Sequence, residues 1–179
     1  VDPKETASRI TEEEIRIMVE AGAGCGGLQE EEADLINNIF AFDDKYVSEI
    51  MTPRVSVKAV PLGASYDEAV EIVANTRYSR FPVYDEDIDD IVGILTVKDL
   101  LRARKNRSRD HFSLASILRP AYFVPEGKMI DVLFKEMKRH QITMAVVIDE
   151  YGGTEGIVTL EDLLEEIVDD EGAPLGIGV

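Results

Sequence analysis

A nine-residue pattern occurs twice in this chain: Gly93-Ile94-Leu95-Thr96-Val97-Lys98-Asp99-Leu100-Leu101 returns 63 positions later as Gly156-Ile157-Val158-Thr159-Leu160-Glu161-Asp162-Leu163-Leu164. Self-similarity at that distance means two copies of one supersecondary unit, and a unit so short has too little apolar surface to fold alone. Two copies sharing a core are therefore expected. The same offset carries Pro82-Val83-Tyr84 onto Ala145-Val146-Val147 and Ala69 onto Val132, whereas Met51-Thr52-Pro53 answers Leu118-Arg119-Pro120 at an offset of 67. A few residues were gained or lost between.

Each unit reads as a short extended piece ending in Val-Pro (Val60-Pro61, Val124-Pro125), a helix, two strands and a second helix. The first helix of unit one carries a capping box, Ser65 with Glu68, ahead of Ala69, Val70, Ile72 and Val73. Its counterpart near 128–139 has no obvious cap and offers Ile130, Val132, Leu133, Phe134 and Met137 to the core. In unit two, strands Met144 to Asp149 and Glu155 to Val158 flank the loop Glu150-Tyr151-Gly152-Gly153, whose glycines permit positive φ, and the acidic run at 85–90 makes the same connection in unit one. The fold class is α+β: tandem βαββα units packed through their sheets.

Ahead of the repeat, Thr11 and Glu14 form a second capping box before Ile15, Met18 and Val19, and after the break at 22–27 the apolar face resumes with Leu35, Ile36, Ile39 and Phe40, then Val47, Ile50 and Met51. The expected organisation is an acidic helical linker over 1–46, unit one over 47–108, unit two over 109–171 and a tail over 172–179, with the polar stretch 103–112 joining the units. The 36 acidic residues against 19 basic, a net charge of −17, repel nucleic acid, so DNA and RNA are not expected partners. A lone cysteine, Cys25, and two distant histidines, His111 and His140, supply no zinc cluster. No run of about 20 apolar residues is present to span a bilayer. The chain lacks a P-loop and a G-x-S-x-G elbow, which argues against an enzyme.

The repeated motif places Thr96 and Thr159 at helix N-caps, with Asp99 and Asp162 three positions on. Two readings stand. Each pair is an ordinary capping box, or each marks a site where a helix N-terminus meets phosphate and the carboxylate meets ribose hydroxyls. Arg80 supplies a fixed positive charge in an acidic protein, and Tyr78 or Phe81 an aromatic surface. The acidic patch Glu161, Glu165, Glu166, Asp169, Asp170 and Glu171 reads first as a solvated helix face and second as a magnesium site.

From Val47 to Val168 the chain resembles a CBS-domain pair, the Bateman module. VSEIMTPR at 47–54, SRFPVYDE at 79–86 and DEYGGTEGIVTLEDLLEEIV at 149–168 resemble the CorC and cyclin M (CNNM) group, which includes haemolysin-like proteins. That resemblance implies a fragment whose acidic linker follows a transmembrane domain, on the cytoplasmic side of the membrane, in a magnesium or divalent cation transporter. It implies an adenine nucleotide (ATP, ADP or AMP), with Mg2+, held between the units by Thr52, Tyr78, Ser79, Arg80, Phe81, Pro82, Ile157, Thr159 and Asp162. A second cleft, with Thr96 and Asp99 facing Ile142-Thr143-Met144, lacks Arg80's counterpart because Thr143 stands there, and is expected to bind weakly or stay empty. A homodimer is also implied. The alternative function is a structural dimerisation module without ligand.

Overall fold

The computed structural model describes residues 10–106 and 112–168. Two helices lead in, α1 (Glu12–Gly24) and α2 (Glu30–Phe42), the first held by the expected Thr11–Glu14 capping box. The short α3 (Val47–Ile50) and strand β1 (Thr52–Pro53) follow. Unit one continues through β2 (Val60–Pro61), α4 (Tyr66–Ala74), β3 (Arg80–Tyr84), β4 (Ile91–Thr96) and α5 (Val97–Asn106). Unit two repeats that order in β5 (Phe123–Pro125), α6 (Ile130–His140), β6 (Met144–Ile148), β7 (Thr154–Thr159) and α7 (Leu160–Val168).

Ser65 caps α4 by accepting from the Glu68 amide while Glu68 returns the bond, as its spacing predicts. α6 starts at Met129 without a side-chain cap and ends at Gln141, a non-glycine residue at φ 55.

The strands form two sheets, ordered β2-β3-β4 and β1-β7-β6-β5. β1, the leading strand of unit one, joins the sheet of unit two, antiparallel to β7, with Thr52 opposite Ile157 and Pro53 opposite Gly156. The exchange is reciprocal, because Arg119, in the leading segment of unit two, bridges Ile94 of β4 with bonds of 2.9 Å in both directions. Each unit thus lends its leading segment to the other. The repeated glycines make room for it: a Cβ on Gly156 would lie 2.2 Å from the Thr52 carbonyl oxygen, and one on Gly93 3.0 Å from that of Arg119.

Period-two alternation separates three apolar layers. Phe81, Val83 and Leu95 turn to the helices of unit one with Val60, Ala69 and Leu100. Ala145, Val147 and Val158 turn to those of unit two with Ile130, Leu133, Met137 and Leu163. Between the sheets, Ile91 and Ile94 meet Met144 and Val146, which is the expected face-to-face packing.

The ladders correct the strand alignment. Arg80 pairs with Thr96 and Met144 with Thr159, so Arg80 corresponds to Met144, one residue beyond Thr143. The loop between the paired strands is one residue longer in unit one, Tyr84 to Ile91 against Ile148 to Thr154, and the offset upstream of it is therefore 64. A one-residue slip reverses every face. Leu133, fully buried, is for that reason the counterpart of Ala69, while Val132 is 42% exposed and lies outside the core to which the sequence assigned it.

The lead-in docks on unit two. Phe42 sets its ring edge-on against Phe134 at 5.9 Å, Asn38 donates to the Ile167 carbonyl at 3.1 Å, and Lys45 pairs with Glu166. Val47 is fully buried in the same core, with its amide bonded to the Lys128 carbonyl at 2.8 Å. Its apolar run, which reads as a continuation of the preceding helix, breaks at Asp43 and restarts to make that contact. Among the described residues no helix is long and apolar enough to cross a membrane.

Candidate functional site

Where β1 crosses onto β7, a slot opens between the units. Thr52 from β1, Tyr78 and Arg80 at the start of β3, and Ile157 and Thr159 from β7 all line it, so five of the sequence-predicted residues converge. Ser56, Val57, Lys58 and Met144 complete the wall. Lys58 adds a second cation, from the stretch before Val60-Pro61 that carries no motif and gave no sequence signal. The slot holds about 20 Å³, room for roughly one water molecule.

Arg80 is partly buried, and its Nη1 lies 3.3 Å from Glu161 Oε1 across the seam. The second carboxylate oxygen, Glu161 Oε2, is buried with no hydrogen-bond partner. An acceptor in that state is matched by a hydroxyl, an ammonium group or a hydrated cation. Glu166 pairs with Lys45 in turn. The face expected to be merely solvated is thus partly engaged, and Asp169, Asp170 and Glu171 lie outside the described residues. Among the described residues no three His, Cys, Asp or Glu side chains are grouped to hold a metal ion.

Thr159 and Asp162 form a complete capping box: the Thr159 amide donates to Asp162 Oδ2 at 2.8 Å and the Asp162 amide to Thr159 Oγ1 at 3.2 Å. Burial pushes the Asp162 carboxyl above its ordinary value, against the lowering effect of both Thr159 bonds, and Glu161 and Glu166 add repulsion. Cap and slot wall coexist here, since Thr159 serves both.

Four predicted residues lie off the slot wall: Asp162, held in the cap just described, and three that sit elsewhere. The Phe81 ring is fully buried in the core of unit one, edge-on to Tyr78 at 6.2 Å, because β3 alternation turns it away from Arg80. Tyr78 is therefore the aromatic at the slot. Pro82 is buried opposite Ile94, and Ser79 is exposed on the wall of the second cleft.

The second cleft lies between Thr96 and the segment 141–144, as expected, and encloses about 780 Å³. Asp99 is absent from its wall. Its carboxylate accepts from Arg119 Nε at 2.8 Å in a neighbouring depression, and that bond holds it below the usual carboxylate range despite burial.

The family model for the CBS domain matches residues 47–106 and 114–169. The chain is 45% identical over 143 residues to Hemolysin C of Brachyspira hyodysenteriae, covering 80% of this chain and 52% of that protein. It is 39% identical over 141 residues to the magnesium and cobalt efflux protein CorC of Salmonella typhimurium, covering 79% of this chain and 48% of that one. It thus spans about half the length of these relatives. The CBS domain of the bacterial CNNM/CorC family Mg2+ transporter superposes with a TM-score of 0.84 at 39% identity, covering 92% of this chain and 99% of that one. The structure of such a domain in complex with ATP gives 0.73 at 44% identity, over 76% and 96%.

Proposed function

We propose, from the premise that the chain belongs to the CBS-domain family and within it to the CNNM/CorC group, that the pair receives an adenine nucleotide in the slot and transmits the resulting movement to a membrane divalent cation transporter of which it is the cytoplasmic part. One observation carries this reading. The slot walls come from both units, and the space between them is about 20 Å³, so a nucleotide that enters must spread walls that belong to both. Binding energy is thereby tied to inter-unit geometry, which is what a regulatory module needs.

The donor set fits the ligand. Arg80 and Lys58 would hold phosphate, Thr52 and Thr159 offer hydroxyls, and Tyr78 supplies a face for the base. Glu161 Oε2, buried and unpartnered beside the Arg80 pair, would meet a water of nucleotide-bound magnesium once that spreading uncovers it. A solved relative carries ATP. The transported ion follows the magnesium and cobalt of the CorC relative. Leu101 and Leu164 occupy matching places on α5 and α7 and stay 60% and 43% exposed, which supports a two-fold dimer built on these helices.

Calorimetric titration of the chain with ATP, ADP and AMP, with and without magnesium, tests the reading. A saturable response is expected that falls at least tenfold in Arg80→Gln. No saturable response to any of the three removes the sensor role and leaves the dimerisation module, which sedimentation would then report on alone.

A further inference from the structure

The loops that join the paired strands of the two units meet at the end of the sheets away from the slot. These tips, 85–90 and 149–155, hold eight acidic residues and no lysine or arginine. A Cβ on Gly153 would lie 3.0 Å from Asp149 Oδ2 and 3.3 Å from Asp89 Oδ1, so the carboxylates of the two units flank one glycine. Like charges so placed repel, and the tips alone would part.

Arg54 opposes that repulsion. Its Nη1 pairs with Asp89 Oδ1 and its Nη2 donates to Asp89 Oδ2 at 3.0 Å, the forked geometry that favours arginine over lysine against a carboxylate. Nη1 also donates to the Thr154 carbonyl at 3.2 Å, and the Thr154 amide donates to Asp89 Oδ1 at 2.9 Å. Asp89 belongs to the tip of unit one, whereas Thr154 opens β7 and Arg54 follows β1, which lies on the sheet of unit two. The contact therefore crosses the seam.

It also shares two strands with the slot. Thr159 walls the slot at one end of β7, and Thr154 stands at the other, about 16 Å along the strand. Thr52 of β1 walls the slot, and Arg54 comes two residues later. A ligand that spreads the slot thus loads the strands that carry the contact. We infer that Arg54, Asp89 and Thr154 form a latch that holds the two units closed at their tips and opposes opening of the slot. What opens the slot rests on the nucleotide reading above; the closure itself does not.

Calorimetric titration of Asp89→Asn with ATP and magnesium should show binding about fivefold tighter than in the parent, because spreading the slot no longer breaks the pair. Arg54→Gln leaves the acidic tips without their cation and should tighten binding at least as much. Arg54→Lys keeps the charge but loses the fork, and should fall between Arg54→Gln and the parent. Coupling is reciprocal, so ATP should in turn part the tips. Spin labels on Glu86→Cys and Glu150→Cys, both exposed, read that distance in a Cys25→Ser background diluted with unlabelled chain. The distance should lengthen and broaden in Asp89→Asn without nucleotide, and in the parent with ATP. Unchanged or weaker ATP binding in Asp89→Asn overturns the latch, as does a tip distance that ignores the substitution. A parent that binds no adenine nucleotide removes the function proposed above, and the ligand-free tip distance then decides the latch by itself.

Discussion

Gly156 lies so close to Thr52 that a Cβ added to it would meet the Thr52 carbonyl oxygen at 2.2 Å. The obstacle is backbone, and β1 is held there by its ladder to β7. Gly156→Ala must displace the exchanged strand, and we expect a loss of about 3 kcal/mol or more. Gly93→Ala meets Arg119 and Leu118 atoms no nearer than 3.0 Å and should cost less, about 1 kcal/mol. Urea unfolding of the two variants checks the ranking. Equal losses would mean that the two leading segments are equally free to shift.

Signals carried by neighbouring residues held throughout, and nonlocal ones held in part. The capping boxes at Thr11 and Ser65 depend on residues three positions apart, and both form as read. The repeat itself was legible, and with it the pairing of sheets. Nothing in the sequence marks Gly93 and Gly156 as close-approach positions, because the segment they make room for comes from the other unit. The slot was legible in Thr52, Arg80 and Thr159. Phe81 was misplaced since the residues alone do not say which face of β3 meets the helices, and Lys58 was missed because its neighbours carry no motif. The shift from Thr143 to Met144 came from a single residue of loop length. Val47 opens the first family match at 47–106, yet its side chain fills the core of unit two, a partnership no periodicity reveals.

Asp89 ties three segments. It pairs with Arg54, its Oδ1 accepts from the Thr154 amide at 2.9 Å, and Arg54 Nη1 donates to the Thr154 carbonyl at 3.2 Å. Arg54 holds the Asp89 carboxyl below its ordinary value, with the Thr154 amide acting in the same direction. A carboxylate whose folded value is depressed adds stability that is present above its unfolded value of about 3.9 and lost as pH falls through the folded one. The chain should therefore lose stability on acidification below about pH 4, more shallowly in Asp89→Asn. Thermal unfolding across that range measures both slopes, and parallel slopes would show that the exposed pair contributes nothing.

Phe42 is the hinge pin of the lead-in. It is 6% exposed and packs on Phe134, beside the Asn38 bond to Ile167 and the Lys45–Glu166 pair. Phe42→Ala opens a void against unit two and should cost about 3 kcal/mol. Hydrogen exchange should rise across α1 and α2 while β6 and β7 stay protected. Uniform acceleration would mean instead that the lead-in and unit two unfold as one body.

Asp162 separates its two roles by substitution. Burial raises its carboxyl, so the folded state holds the proton more tightly than the unfolded chain. Its contribution to stability is greatest below the unfolded value of about 3.9 and declines as pH rises through the folded value, opposite in sign to Asp89. Asp162→Asn keeps an oxygen for the Thr159 amide and removes the charge facing Glu161 and Glu166; it should match or exceed the parent at neutral pH. Asp162→Ala loses the cap as well, at about 1 kcal/mol. If the charge also receives the ribose hydroxyls, the asparagine variant folds fully yet binds ATP more weakly. Thermal unfolding at neutral pH and at pH near 4, beside the ATP titration, distinguishes these outcomes. An asparagine variant that binds ATP as the parent does would confine Asp162 to capping α7.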